Sequence, residues 1–313
     1  METQMEKKKK FRFNRRTLSY LSGYLYVTPV LLGILLFTLI PIIISLVQSF
    51  SYYNPAEFRA TMEFSPYYYK LMFTDDSTSV LRSLFITLRY AVIMVPLSLC
   101  GSFFVAVLLS YVQSKTTNSV LTVLLYLPAL IPGVAGSLLW ANITSTESWG
   151  YINQILQLLG LSEYPFFSDP NTVFPTILLL SLNGWGTASI MWTAQMKNIP
   201  RETYEAAQID GAGRFQQLVR ITIPLCTPML FYLLITNIIG ALQVFGNYYV
   251  MLTEYPQSAT QLEFFVVKIY REIYYGYGTS YACALSWILF LIIGVLTMLV
   301  FKNSSWVYYS EEK

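Results

Sequence analysis

Uncharged polar and aromatic side chains set inside apolar runs are the groups of this chain that could do chemistry. Asn183, Gly184 and Trp185 interrupt one run; Gln243, Phe245, Asn247 and Tyr248 interrupt another. Amides and phenols donate and accept hydrogen bonds, and aromatic faces stack on the apolar side of a ring. Together they suit recognition of a polyhydroxyl solute without charge. A polar group in an apolar medium is costly unless it meets a partner or water. Each amide therefore either faces a wet cavity or bonds between helices, and the residues alone leave both open. Acid–base and metal chemistry are poorly served. The chain has no histidine, which removes imidazole ligands and serine–histidine triads. Cys100, Cys226 and Cys283 are too widely spaced for a disulfide framework or a thiolate metal site. There is no Gly-x-x-x-x-Gly-Lys-Ser/Thr loop, so nucleotide phosphates are not cradled by that route.

The elements that must position these groups are long and apolar. Of the 313 residues 55% are hydrophobic and 12% charged, and the mean hydropathy is +0.49, which points to a polytopic all-α membrane protein. Apolar runs at about 20–50, 83–111, 118–142, 171–196, 224–250 and 281–302 each approach or exceed the ~20 residues needed to cross hydrocarbon. The expected organisation is a basic N-terminal tail (1–19), a six-helix membrane domain (20–302) and a C-terminal tail (303–313). Arg89 is the one ionisable residue well inside a run, and snorkelling to the interface accounts for it. The small net charge of +3 gives no case for nucleic-acid binding.

Six spans put both termini on one side. With the N-terminus cytoplasmic, the inner segments hold Lys7–Lys10, Arg12, Arg15, Arg16, Lys115, Lys197, Arg201, Arg214, Arg220, Lys302 and Lys313. The outer loops hold only Arg59, Lys70, Arg82, Lys268 and Arg271, so the positive-inside rule fixes cytoplasmic termini. Outer residues 50–80 are rich in Tyr and Phe and read as interfacial belt. Within 143–170, Tyr151 to Leu161 has helical periodicity. Gly101, Gly133, Gly136, Gly240 and Gly246 permit close helix approach.

The most polar run between spans is 199–224. Pro200 suits a helix start, and Glu202 and Glu205 lie near that helix's positive end. Gly211 is placed to end the helix in the left-handed conformation. A second short helix follows, with Phe215, Leu218 and Val219 at spacings that share one face.

Within this run Glu205-Ala206-Ala207, Gly211, Ile221 and Ile223-Pro224 resemble the EAA loop of binding-protein-dependent ABC importer permeases, which has Leu where this chain has Ile223. The resemblance covers nearly the whole chain from Gly23. It includes Thr28-Pro29 and Pro41, Leu127-Pro128 and Pro132, Phe166 to Pro170, Leu242 to Phe245 and Gly276-Tyr277-Gly278. It is greatest to carbohydrate permeases of the maltose, multiple-sugar and glycerol-3-phosphate type. The chain departs after Val250, with Thr253-Glu254-Tyr255-Pro256-Gln257 in place of a Gly-Gly-Pro turn.

The resemblance implies a type I ABC importer permease fold in the cell membrane and no catalytic site or bound cofactor. It implies a second, non-identical permease, ATPase subunits that bind the ATP, and an extracellular solute-binding protein. Glu205, Ala206, Ala207, Gly211, Ile221 and Pro224 would then couple to the ATPase. Asn183, Gly184, Trp185, Gln243, Phe245, Asn247 and Tyr248 would line the substrate path. Ala129 stands where relatives often carry an aromatic, which implies a roomier pocket. A sugar or oligosaccharide is the implied cargo, with a phosphorylated polyol or peptide as alternatives. An intramembrane enzyme would need clustered ionisable residues in the spans, which are missing. An ion-coupled secondary transporter would show buried carboxylates or matching broken helices, and the sequence displays neither.

Overall fold

A computed structural model describes residues 15–54, 59–74 and 76–307, with side chains for all of these except 15–23, 53–54, 59–63 and 183. Lys7–Lys10, Arg12 and residues 308–313 of the expected tails lie outside the described residues. The first span is α1 (Arg15–Ile34) and α2 (Ile40–Ser49), joined by a π turn at Leu35–Leu39. That turn ends just before Pro41, which has no N–H to give to the preceding turn and crowds its carbonyls; widening the helix relieves both. The side chains of this span are exposed almost throughout, with Tyr26 and Phe37 both at 82%. Apolar surface of that extent is stable only in hydrocarbon or against another apolar chain.

A small antiparallel ribbon follows, β1 (Ser51–Asn54) with β2 (Arg59–Phe64), pairing Ser51 with Phe64 and Tyr53 with Ala60. It is an addition to the expected all-α architecture. After it come α3 (Tyr67–Phe73) and α4 (Ser77–Ser110), the latter starting before the expected residue 83. α4 is the hub of the bundle.

The third apolar run departs from the expected single span. α5 (Lys115–Tyr126) passes into a 3-10 turn at Leu127–Leu130, and α6 (Gly133–Ile143) leaves at 93°. Ile131 precedes Pro132 and is held extended at ψ 122°, as a residue before proline prefers. Among the described residues five helical segments are thus long and apolar enough to cross a membrane, and this bent pair is the sixth candidate.

α7 (Tyr151–Leu158) follows the periodicity read there but stops short of Leu161, and it is pinned at its base by Asn153, which is 2% exposed. Asn153 Nδ2 donates to the carbonyls of Thr144, Ser145 and Tyr164, and its Oδ1 accepts from Tyr164 N–H at 2.8 Å. Asn153→Ala strands these buried groups and is expected to destabilise the 143–165 loop by about 1–3 kcal/mol. Faster limited proteolysis within that loop, with the spans left intact, is the measurement that checks it.

The fourth span is α8 (Pro170–Ser181), a 3-10 turn at Leu182–Gly184, and α9 (Trp185–Lys197). α10 (Arg201–Ile209), α11 (Arg214–Gln217), a π turn at Leu218–Thr222 and α12 (Ile223–Leu225) form the polar loop. Here too the π turn ends just before a proline, Pro224. The fifth span is α13 (Thr227–Leu242) and α14 (Gly246–Glu254), interrupted at Gln243–Phe245. The short α15 (Ala259–Leu262), the amphipathic α16 (Phe265–Tyr275) and α17 (Thr279–Lys302) complete the chain.

The core forms around α4 where it meets α8, α9, α13 and α14. A Cβ on Gly101 of α4 would overlap the Trp185 indole, so this glycine sets the α4–α9 approach; a Cβ on Gly240 would meet nothing within 4 Å among the described residues, so no close helix approach depends on that glycine there. Trp192 Nε1–H donates to buried Ser102 Oγ at 3.1 Å across the same seam. Arg89 does more than snorkel: its guanidinium lies 3.7 Å from the centre of the Phe174 ring.

A second cluster joins α3, α16 and α17 to the start of α4. Lys268, 2% exposed, is its charged centre. Its Nζ lies 2.8 Å from Asp76 Oδ2 and 3.0 Å from Glu272 Oε1, and it donates to Ser79 Oγ at 2.9 Å. Tyr281 O–H donates to Asp76 at 2.6 Å and Tyr277 N–H to Glu272 at 3.1 Å, so both carboxylates keep further donors.

Candidate substrate cavity and coupling loop

Breaks in three spans meet around one cavity. Leu127, Pro128, Ile131 and Gly133 line it from the first break, Ser181 and Gly184 from the second and Val244 to Tyr248 from the third, with Tyr90 of α4 and residues of α6 and α8 adding to the wall. Broken helices free backbone groups within a span, and such groups are tolerated there only where they line a cavity or find protein partners. The cavity encloses about 630 Å³, within the range of small-ligand sites.

Its polar groups are hydroxyls, the Asn247 amide and peptide groups, with no charged side chain among the described residues of the lining. Tyr248 Oη donates to Tyr90 Oη at 3.1 Å, and Tyr90 Oη lies 3.1 Å from Ser181 Oγ, giving a chain of three hydroxyls across α14, α4 and α8. Aromatic surface comes from Trp140, Phe167 and Phe245. Gly133 faces Asn247 so closely that a Cβ there would collide with the amide oxygen. The first turns of α6 and α14 therefore lie side by side.

Of the residues read from sequence as a substrate path, Gly184, Phe245, Asn247 and Tyr248 are brought together in this lining. Trp185 is not; its indole packs on Gly101, and its buried Nε1–H has no hydrogen-bond partner among the described residues. Gln243 is exposed and outside the lining, and so is Ala129, although its neighbours Pro128 and Ile131 belong to it. The side chain of Asn183 lies outside the described residues. Sequence reading missed Tyr90 and Ser181, which sit in helices with no local signal beyond a polar residue in an apolar run.

The polar loop is built as a tight helix–turn–helix. Pro200 caps α10 from outside, at φ −57° and ψ 136°, one position before the first turn where it was expected. Gly211 has φ +81°. Ala212 N–H bonds Ala207 O at 2.8 Å and Gly211 N–H bonds Gln208 O at 3.0 Å, the paired closure of a Schellman turn. Tyr204 Oη lies 2.9 Å from Thr222 Oγ1, tying α10 to the π turn; burial raises the Tyr204 phenol above its ordinary pKa, although the Thr222 bond opposes this.

Phe215, Leu218 and Val219 do not share one environment as expected. Phe215 is 78% exposed whereas Leu218 is half-buried, because the π turn shifts the helical phase after Gln217. Glu205 and Ala206 are exposed, and Ala207, Ile221 and Pro224 are half-buried. Ile209 is 87% exposed, so the loop presents isolated apolar side chains outside the spans.

Residues 98–305 match the family described as the binding-protein-dependent transport system inner membrane component. The chain belongs to this family. It is 33% identical to the probable ABC transporter permease protein YesP of Bacillus subtilis (strain 168), over 94% of each chain. It is 27% identical to the arabinooligosaccharides transport system permease protein AraP of the same organism, over 90% of this chain and 88% of AraP. In fold it is similar to a chain of a bacterial alginate ABC transporter, solved in complex with an alginate pentasaccharide-bound periplasmic protein. The TM-score is 0.82 at 22% identity, covering 93% of this chain and 96% of that one. The permease thus has the ABC importer permease fold, is a multi-pass membrane protein, and serves transport rather than catalysis.

Proposed function

We propose that this permease forms, with a second and non-identical permease, the path by which a carbohydrate crosses the membrane. The observation that carries the reading is the cavity at the three span breaks. It offers hydroxyls, an amide and aromatic surface and no charge, which is what a sugar needs and an ion does not. The relatives named for arabinooligosaccharides and for trehalose and maltose support a saccharide cargo. The broken spans do not revive ion coupling, because no carboxylate stands at any of the breaks.

The termini are cytoplasmic, on the distribution of Lys and Arg, and the 199–224 loop faces the same side. There it docks on an ATPase subunit that binds ATP in place of this chain. Exposed Glu205 makes no ion pair among the described residues and is free to meet a basic residue of that subunit. Ala206 and Ala207 allow close approach, Gly211 supplies the turn, and Ile221 and Pro224 carry the loop back into the bundle. A solute-binding protein delivers cargo at the opposite face.

Purification with the second permease and the ATPase, followed by hydrolysis assays with the binding protein across a carbohydrate panel, tests this reading. ATP hydrolysis is expected to rise with one class of saccharide and to stay flat with ions, amino acids and peptides. Stimulation by a non-carbohydrate alone would refute the assignment.

A further inference from the structure

A second cavity, of about 810 Å³, lies between the 199–224 loop and the span ends beside it. Four cations line it: Lys115 opens α5, Lys197 closes α9, and Arg201 and Arg214 open α10 and α11. Among the described residues no Asp or Glu belongs to the lining, and none of the four cations is in an ion pair. Glu202 and Glu205 of α10, and Asp210 just after it, are outside the lining. Four like charges around one recess raise the local potential and attract an anion.

The depth of the recess narrows the choice of anion. Lys115 and Lys197 stand where apolar spans end, the level at which lipid headgroups lie, while Val107 and Met196 continue the wall along the spans. Arginine forks match phosphate oxygens bidentately, and lysine adds a point charge. Basic recesses between spans at a membrane face are suited to anionic headgroups. We propose that this cavity binds the headgroup of an anionic phospholipid, its phosphate shared between the span-end lysines and the loop arginines. Bound there, the lipid would hold the loop against the bundle. The inference rests on the membrane location and not on the carbohydrate reading.

The test uses the assembled transporter in phosphatidylcholine nanodiscs containing a trace of headgroup-photoactivatable phosphatidylglycerol, with labelled peptides mapped by mass spectrometry. Label is expected in peptides spanning 107–119 and 193–217. Lys115→Gln combined with Lys197→Gln should reduce it about thirtyfold, the equivalent of two lost lysine–phosphate attractions. Lys197→Arg should keep it, as should Lys302→Gln, which removes a cation from the end of another span. Equal loss in Lys302→Gln, or equal labelling by a phosphatidylcholine probe, would show general surface attraction and overturn the site. Displacement by inorganic phosphate as effective as by unlabelled phosphatidylglycerol would reassign it to free phosphate. Label that appears only when the ATPase is removed would assign the recess to an acidic surface of that subunit.

Discussion

Gly211→Val is expected to abolish coupling, lowering substrate-stimulated ATP hydrolysis and uptake by at least about tenfold, on a backbone cost of about 1–2 kcal/mol or more. The cause is local. At φ +81° the residue is in the left-handed region, and a β-branched side chain there crowds its own backbone. Space is not the obstacle, because a Cβ at this position meets nothing within 4 Å. The two hydrogen bonds that close α10 depend on that φ, and with them the angle at which Glu205, Ala206 and Ala207 are presented. Gly211→Asn is the informative companion, since asparagine tolerates the left-handed region and should retain most activity. Full coupling in Gly211→Val would mean that the turn is not a rigid part of the docking surface.

Lys268→Met is expected to destabilise the permease by about 3–5 kcal/mol, as removal of one partner from a buried ion pair does. Methionine fills much of the same volume but leaves Asp76 and Glu272, each 13% exposed, without their shared cation. These groups join α3, α4, α16 and α17, so the loss falls on the packing of several elements at once. Thermal unfolding of the purified complex reads the effect. Asp76→Asn added to Lys268→Met should recover part of the loss, because it removes one of the stranded charges. An unchanged midpoint for Lys268→Met alone would show that water already reaches the cluster.

Much of this molecule is legible in sequence because a membrane imposes simple rules. Apolar length marks each span, and the glycine that ends α10 is announced by the polar helix before it. What the sequence hides is long-range. Tyr90 and Tyr248 are 158 residues apart, and Lys268 and Ser79 are 189 apart, so no local pattern connects them. The 93° break in the third run was written in Pro128 and Pro132, yet hydropathy averages across both prolines and returns one span. Trp185 is the converse case: an aromatic beside an amide reads as a binding pair, and the space opposite Gly101 takes up its indole. The ring that Arg89 meets, Phe174, is contributed by a different span, so local sequence gives no sign of that contact.

The most direct test of the proposed path is saccharide uptake by reconstituted complexes carrying Asn247→Ala. Asn247 lines the cavity from the first turn of α14, and its amide oxygen sits against Gly133 at the facing break. Uptake is expected to fall about tenfold, the equivalent of one hydrogen bond to the solute, while the amount of assembled complex matches wild type. Undiminished uptake, or a complex that no longer assembles, would contradict the account: the amide would then be a packing group, and the path would lie elsewhere.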